Sequence, residues 1–285
     1  MPFTTIVSAG ALHDLIAAGE PVLVLDCEFD LADPAKGRET HERGHIPGAR
    51  YVHLEADLSG TPDGTNGRHP LPDRAAFAER MRALGLRKGR QVVAYDGNGG
   101  HFAARLWWML RWIGHEAVAV LDGGRQAWLA GGWPLEAGEA GAAEPGDFAV
   151  GAPLVGGVVS AGEVLANIDG GDLVVIDARD PARFRGEPHP LDTASGHIPG
   201  ARNRFLRDNF AADGTFRSAE ELAQAFRAVL DGAPSEKAVM QCGSGVTACS
   251  NALAMEIAGL KGAKLYPGSW SEWTSDPSRP IATGA

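Results

Sequence analysis

Lys237-Ala238-Val239-Met240-Gln241-Cys242-Gly243-Ser244-Gly245-Val246-Thr247-Ala248 passes from a short apolar run into a small-residue loop. From Ala248 to Gly259, Leu253, Ala254, Ile257 and Ala258 recur at helical spacing. The stretch therefore predicts a buried strand, a loop that starts at a cysteine, and a helix N-terminus. Gly243 and Gly245 allow the backbone to curl without side-chain clashes. Successive N–H groups of such a loop point inward and the helix start adds partial positive charge, so an anion is favoured at the centre. Here the thiolate of Cys242 is that anion, and the stretch reads as a nucleophile loop. The competing reading, an inert buried cysteine at a strand end, fits poorly with the two glycines and the helix that follows.

Working outward, the same order of elements occurs twice. Gly44-His45-Ile46-Pro47-Gly48-Ala49-Arg50 returns unchanged as Gly196-His197-Ile198-Pro199-Gly200-Ala201-Arg202. Ser8-Ala9-Gly10 is answered by Ser160-Ala161-Gly162, each opening a predicted helix, the second with a capping-box pattern at Glu163. Strands predicted at Pro21 to Leu25 and Leu173 to Ile176 end at Asp26 and Asp177. The strand before Cys242 is answered by Gln91 to Tyr95, and Leu121 to Trp128 by Tyr266 to Trp273. Anchors in one order at nearly constant offset indicate a tandem duplication. Strands alternating with helices indicate an α/β fold with a parallel sheet in each half, and such sheets bind ligands beyond the C-terminal ends of their strands. We expect a first domain over residues 1–137, an Ala-, Gly-, Glu- and Pro-rich linker over 138–153, and a second domain over 154–285. Between Asp26 and Gly44 a long loop is expected.

The duplication is an internal control. Asp96 stands where the second half has Cys242, so the first half has no thiolate chemistry there. One active site per chain is expected, in the second half, with the first half as a wall of its cleft. His45 and His197 lie in the repeated motif and read as structural. Asp26 and Asp177 read as strand-end hydrogen-bonding residues, and Asp96 as a residue that orders its loop. Trp107, Trp108 and Trp112 read as packing residues.

The 285 residues allow two ordinary domains. A net charge of −10 argues against a general nucleic-acid binder. No apolar run approaches the ~18 residues of a membrane span, and with no basic region and no long apolar stretch at the start of the sequence no export signal is expected. The three cysteines, 27, 242 and 249, form no metal-spaced cluster. No metal and no cofactor are expected, and a reducing cytoplasm fits. Cys27 and Cys249 read as core residues.

A phosphatase of the Cys-x5-Arg type needs an arginine six residues past the nucleophile, and Ala248 is there. A thiolate in a neutral, donor-lined loop suits a persulfide instead. The Cys242 to Ala248 loop, the paired Gly-His-Ile-Pro-Gly-Ala segments, Leu121-Asp122-Gly123-Gly124 and Gly268-Ser269-Trp270-Ser271-Glu272-Trp273 together resemble the tandem-domain rhodanese superfamily, and the loop resembles its mercaptopyruvate sulfurtransferase branch. The resemblance covers nearly the whole chain. It implies two rhodanese-like domains, the first inactive, and a ping-pong reaction. Cys242 takes sulfane sulfur from a small-molecule donor and passes it to cyanide or a thiol. A thioredoxin-like reductant is a further expected partner, with no nucleic acid and no membrane.

Residue by residue, the resemblance implies that Arg185 holds the anionic donor and that Gly243, Gly245, Val246 and Thr247 line the site. Ser244 matches a hydroxyl that acts with a histidine and an acid. His69 fits that histidine, and Glu55 or Asp57 the acid. Trp270 and Trp273 are candidates to border the cleft. One departure stands out. A second arginine common in the mercaptopyruvate branch is matched here by Leu191. Loss of such a charge-assisted bond costs roughly 1.5–3 kcal/mol. Thiosulfate-specific relatives, however, carry cations inside the loop, where Gly243 and Ser244 offer none. The loop touches the transferred sulfur and so decides for mercaptopyruvate as donor. Thiosulfate is the alternative, and a persulfide carrier serving protein partners is a third reading.

Overall fold

The computed structural model describes every residue except 139, 142 and 285. Two compact units are present, and they do not follow chain order. The first comprises Met1–Ser59, Pro72–Leu154 and Phe210–Phe216; the second comprises Gly60–Leu71, Val155–Asn209 and Arg217–Ala285.

In the first unit the elements run β1 (Ile6–Val7), α1 (Ala9–Ala17), β2 (Leu23–Asp26), α2 (Ala35–Arg43), β3 (Arg50–Tyr51), α3 (Leu54–Asp57), α4 (Arg74–Ala83), β4 (Val92–Tyr95), α5 (Ala103–Trp112), β5 (Val118–Leu121) and α6 (Gly124–Ala130). The sheet has the order β1-β5-β4-β2-β3, and every pair is parallel. Its strands are apolar on both faces, as a sheet covered by helices on both sides requires. Ala103 to Leu110 of α5 are all buried, Arg105 included, the mark of a helix inside a core. Helix α2 lies where a loop was expected. Its sequence is polar throughout, so no apolar stripe announced it; the buried His41 secures it through a 2.9 Å contact with Asp26.

The stretch expected as a linker is bound to this unit. Gly146 donates to the carbonyl of Arg82 at 2.7 Å and Gly151 to that of Ile113 at 2.8 Å, and Phe148 is buried. Residues 139 and 142 of that stretch lie outside the described residues.

The second unit contains α7 (Ala161–Gly170), β6 (Val174–Asp177), α8 (Pro181–Arg185), β7 (Arg202–Asn203), α9 (Ala219–Leu230), β8 (Ala238–Gln241), α10 (Ala248–Ile257), β9 (Lys264–Leu265) and α11 (Ser269–Trp273). Its parallel sheet has the order β7-β6-β8-β9. An isolated parallel bridge, Val158 with Leu265, takes the place that β1 has in the first unit. The predicted capping box is formed: Ser160 Oγ accepts from the Glu163 N–H at 3.3 Å, and Glu163 Oε2 accepts from the Ser160 N–H at 2.8 Å. Ser218 and Glu221 form a second one at the start of α9.

The repeated histidines do the same work in each unit. Each pairs antiparallel with a later segment, His45 with Glu136 and His197 with Ala282. The Nδ1 atoms bond the carbonyls of His41 at 2.9 Å and Phe184 at 2.7 Å. Both rings are buried and stacked, on His41 and on Phe184. They are structural residues, as the repeat suggested.

Candidate active site

Strand β8 lies between β6 and β9, and Cys242 follows its last residue. The Cys242 N–H donates to Ser269 Oγ at 3.1 Å, and that hydroxyl donates to the Tyr266 carbonyl at 2.8 Å. Ser269 adopts φ +54°, an uncommon backbone state for a residue with a side chain; its two hydrogen bonds hold it there. The first turn of α11 grips the loop from the same side. The N–H of Trp270 donates to the Cys242 carbonyl at 3.0 Å and that of Ser271 to the Gly243 carbonyl at 2.9 Å. Gly245 has φ +73°, and a Cβ there would lie 2.1 Å from the Pro267 carbonyl oxygen. Glycine is therefore required at this position on two counts. Helix α10 begins at Ala248, directly after Val246 and Thr247, and its residues Ala248 to Met255 are all buried. Cys242 is 1 % exposed and Cys249 is fully buried.

The equivalent loop in the first unit shows what such a turn binds. Asp96 Oδ1 accepts from the N–H groups of Asn98 and Gly100, each at 2.8 Å. Its Oδ2 accepts from those of Phe102 at 2.8 Å and Ala103 at 3.0 Å. Four backbone donors thus close on one anionic group at the start of α5. This loop spans seven residues, Asp96 to Phe102, against six in Cys242 to Thr247. Glu28 accepts from the Gly97 N–H at 2.7 Å and from the Asn98 side chain at 3.1 Å.

Residues 60–71 bring two further groups to the Cys242 loop. His69 is buried, and its Nδ1 lies 2.9 Å from Ser244 Oγ. The segment is anchored at Gly67, which has φ +87° and comes so close to Gly268 that a Cβ would lie 2.7 Å from its carbonyl oxygen. Next to it, the Arg68 N–H donates to Ser271 Oγ at 3.0 Å. The Arg68 guanidinium donates through Nη1 to the Leu191 carbonyl. Burial lowers its pKa from the ordinary arginine value, an effect opposed by the nearby Cys242 and Asp192; an arginine still keeps its charge. Glu55 and Asp57 belong to the first unit, where Asp57 Oδ2 accepts from the His53 N–H at 2.8 Å.

Arg185 is not brought to the loop. It is 48 % exposed, at the end of α8, and pairs with Glu187 at 3.2 Å. Two residues along a helix turn the side chain through about 200°. Of the two arginines of α8, Arg183 is the one that faces the loop. Its Nη2 lies 3.3 Å from where a Gly243 Cβ would be, and its guanidinium grips Asp192 bidentately at 2.7 and 2.9 Å. Asp180-Pro181 is a helix-start signature, an N-cap residue followed by proline at N1; reading it would have placed Phe184 inward and set Arg183 apart from Arg185. Arg68 was missed altogether, because a lone charge in a loop has no periodicity to orient it.

Trp270 and Trp273 are fully buried core residues. Trp270 carries the Arg179 guanidinium 4.6 Å above its ring, and Arg179 is held by Asp177 at 2.7 Å. Among the described residues no group of three His, Cys, Asp or Glu could hold a metal ion. Among them, too, no helix is long and apolar enough to cross a membrane.

A thiol at the C-terminal edge of a parallel sheet, repeated once with a carboxylate in its place, marks a duplicated α/β protein whose two equivalent loops carry different groups. The chain belongs to the rhodanese family: the rhodanese-like domain matches it twice, over residues 8–131 and 160–276. It is 48 % identical over 265 residues to the Pseudomonas aeruginosa protein named "Probable 3-mercaptopyruvate sulfurtransferase", covering 92 % of this chain and 93 % of that one. It is 35 % identical over 299 residues to "Thiosulfate/3-mercaptopyruvate sulfurtransferase 2" of Arabidopsis thaliana, covering 97 % and 86 % of the two chains. The crystal structure of SseA from Escherichia coli, a 3-mercaptopyruvate sulfotransferase, superposes with a TM-score of 0.80. The two are 31 % identical, and the match covers 94 % of this chain and 99 % of that one.

Proposed function

We propose that this enzyme is a sulfurtransferase that moves sulfane sulfur from 3-mercaptopyruvate to a thiophilic acceptor through a persulfide on Cys242. The observation that carries the reading is the pair of equivalent loops. The first closes four N–H donors on a carboxylate. The second offers the same strand–loop–helix frame to a sulfur anion, which electrostatic preorganisation of this kind stabilises.

In the first half-reaction the Cys242 thiolate attacks the sulfur of the donor thiol. The new S–S bond forms as the donor C–S bond breaks. The bonding pair passes to carbon as an enolate, and the proton of the donor thiol ends on that carbon, giving pyruvate and Cys242-S-S⁻. His69 and Ser244, in contact at 2.9 Å, are the residues we assign to that proton transfer, the ordinary work of a histidine at neutral pH. Val246 and Thr247 with the two loop glycines line the cradle. In the second half-reaction cyanide or a thiol attacks the outer sulfur, the S–S bond breaks, and the Cys242 thiolate returns. A thioredoxin-like dithiol is an acceptor of the right chemistry. The absence of a Cys-x5-Arg pattern disfavours phosphoryl transfer. Three buried free cysteines suit a reducing cytoplasm.

The testing experiment compares wild type and Cys242→Ser with both donors at matched cyanide. The expected result is turnover of 3-mercaptopyruvate with the higher kcat/KM and none in the variant. Higher kcat/KM for thiosulfate would reassign the donor, and activity in Cys242→Ser would end the persulfide reading. Donor-loaded Cys242 with negligible turnover would mark a carrier instead.

A further inference from the structure

The first unit carries a second charged feature, at the opposite edge of its sheet from the Asp96 loop. Arg87, Lys88 and Arg90 occupy the turn before β4, and Arg50 opens β3. All four line one cleft of about 620 Å³, where Glu144 is the sole carboxylate among the described residues. In a chain of net charge −10 this is a local inversion of sign. Glu144 pairs with Arg87 at 3.3 Å, but its side chain is 91 % exposed, and such a pair contributes little. Arg50 and Arg90 donate to backbone carbonyls: Arg50 to Gly141 at 2.6 Å, and Arg90 to Pro21, Gly85 and Val22 at 3.3, 3.1 and 3.1 Å. Among the described residues neither has a carboxylate partner. Burial lowers the Arg90 pKa from the ordinary arginine value, and the charges of Arg87 and Arg50 act in the same direction; an arginine still keeps its charge. An anion placed among the three guanidinium groups offsets both the repulsion and the desolvation.

The duplication shows that the fold does not need these cations. With β4 set on β8, Arg87-Lys88-Gly89-Arg90 is answered by Ala233-Pro234-Ser235-Glu236, a turn without a cation. Arg202, the counterpart of Arg50, has a carboxylate, Asp231, at 3.9 Å; in the first repeat Gly85 stands where Asp231 does. A second cavity, of about 560 Å³, adjoins the cleft and shares Pro21, Lys88, Gly89 and Arg90 with it. Its wall is apolar at Pro2, Leu15, Val22 and Phe148, and two carboxylates, Glu20 and Glu116, also line it. An apolar wall with a few polar groups suits a flat organic body, and carboxylates accept from hydroxyl or amino groups. We propose that the two cavities form one binding site for a nucleoside diphosphate. The diphosphate lies among Arg50, Arg87, Lys88 and Arg90, whose guanidinium forks match phosphate oxygens. The nucleoside fills the adjoining cavity, with hydroxyl or amino groups toward Glu20 and Glu116. Arg90, common to both cavities, has more N–H donors than its three carbonyl bonds use. This binding is independent of sulfur transfer at Cys242.

The test is calorimetric titration of the full-length protein with ADP, inorganic pyrophosphate and adenosine, without added metal and at about 0.15 M salt. Wild type is compared with the double variant Arg87→Gln/Lys88→Gln and with Glu144→Gln. All three side chains are exposed, so the melting temperature should not change. ADP should bind, pyrophosphate about tenfold more weakly, and adenosine more weakly still. The double variant should weaken ADP and pyrophosphate about tenfold to a hundredfold, the loss of charge-assisted bonds. Glu144→Gln removes a charge of the opposite sign from the same cleft and should tighten ADP about twofold to fivefold. That opposite response keeps the test decisive should the double variant lose stability. No ADP binding at millimolar concentration would overturn the proposal. So would an ADP affinity unchanged in both variants, because binding would then lie elsewhere. Equal affinities for ADP and pyrophosphate would overturn the assignment of the adjoining cavity to a nucleoside. Adenosine binding as tightly as ADP would overturn that of the cationic cleft to a diphosphate.

Discussion

Asp96 and Cys242 stand at the same position in the two repeats, each at the C-terminal end of a strand with parallel neighbours on both sides, and Asp96 fills its own loop. The carboxylate is an anion of the chain itself, held by four backbone N–H groups as part of the fold. Asp96→Ala would leave four inward N–H groups without their acceptor. Even after water enters, we expect a loss of about 3 kcal/mol or more in unfolding free energy, measured by urea denaturation, with sulfur transfer at Cys242 retained in the folded fraction. An unchanged unfolding midpoint would show that the nest does not need its anion.

The 2.9 Å contact between His69 and Ser244 predicts that the two act as a unit. Ser244→Ala and His69→Asn should each lower kcat for 3-mercaptopyruvate by about 10²-fold or more. The double variant should be scarcely worse than the poorer single one, because residues that share one step are non-additive. Additive losses in the double-mutant cycle would separate their roles.

At Gly245 the backbone decides. Gly245→Ala combines a left-handed backbone, ~1–2 kcal/mol for a residue with a Cβ, with a methyl 2.1 Å from the Pro267 carbonyl oxygen. The loop must open to relieve it. We expect loss of most sulfur-transfer activity and a melting temperature several degrees lower. A fully active Gly245→Ala enzyme would contradict the loop geometry.

Asp122 supplies a pH dependence in the first unit. Its carboxyl accepts from the Phe216 N–H at 2.8 Å, and burial raises its pKa above the ordinary carboxylate value, with Asp213 adding to the rise. The folded state then holds the proton more tightly than the unfolded chain, whose carboxyl titrates near ~3.9. Asp122 therefore favours folding below that value, and its contribution is lost as pH climbs through the raised one. Asp122→Asn keeps an acceptor for Phe216 and removes the charge. Its stability relative to wild type should increase between about pH 4 and pH 7, read from denaturation midpoints across that range. A constant difference would place the titration elsewhere.

The architecture was legible because its marks are local and repeated. Ser160 with Glu163, the two Gly-His-Ile-Pro-Gly-Ala turns and the strand before Cys242 each announce an element by themselves. Helix α2 was not legible, because it packs through the buried Gly37 and His41 and not through an apolar face. The loop that starts at Cys242 could be read from the glycines and the helix start. The arginines could not. Choosing Arg183 over Arg185 requires knowing that five residues after Asp180 are helical, and Arg68 gains a partner only when residues 60–71 are folded against Gly268. Trp270 and Trp273, candidates for the cleft, are instead consumed by the core, where their indole N–H groups reach the carbonyls of Ala194 and Pro280.

Residues 60–71 are encoded in the first repeat and built into the second unit, and 210–216 the other way round. A gene fragment starting at Val155 would still encode Cys242 and its helix, yet it would lack Arg68 and His69. Each unit is thus completed by a strip of the other repeat. Deleting the first repeat would therefore take residues 60–71 away from the second unit.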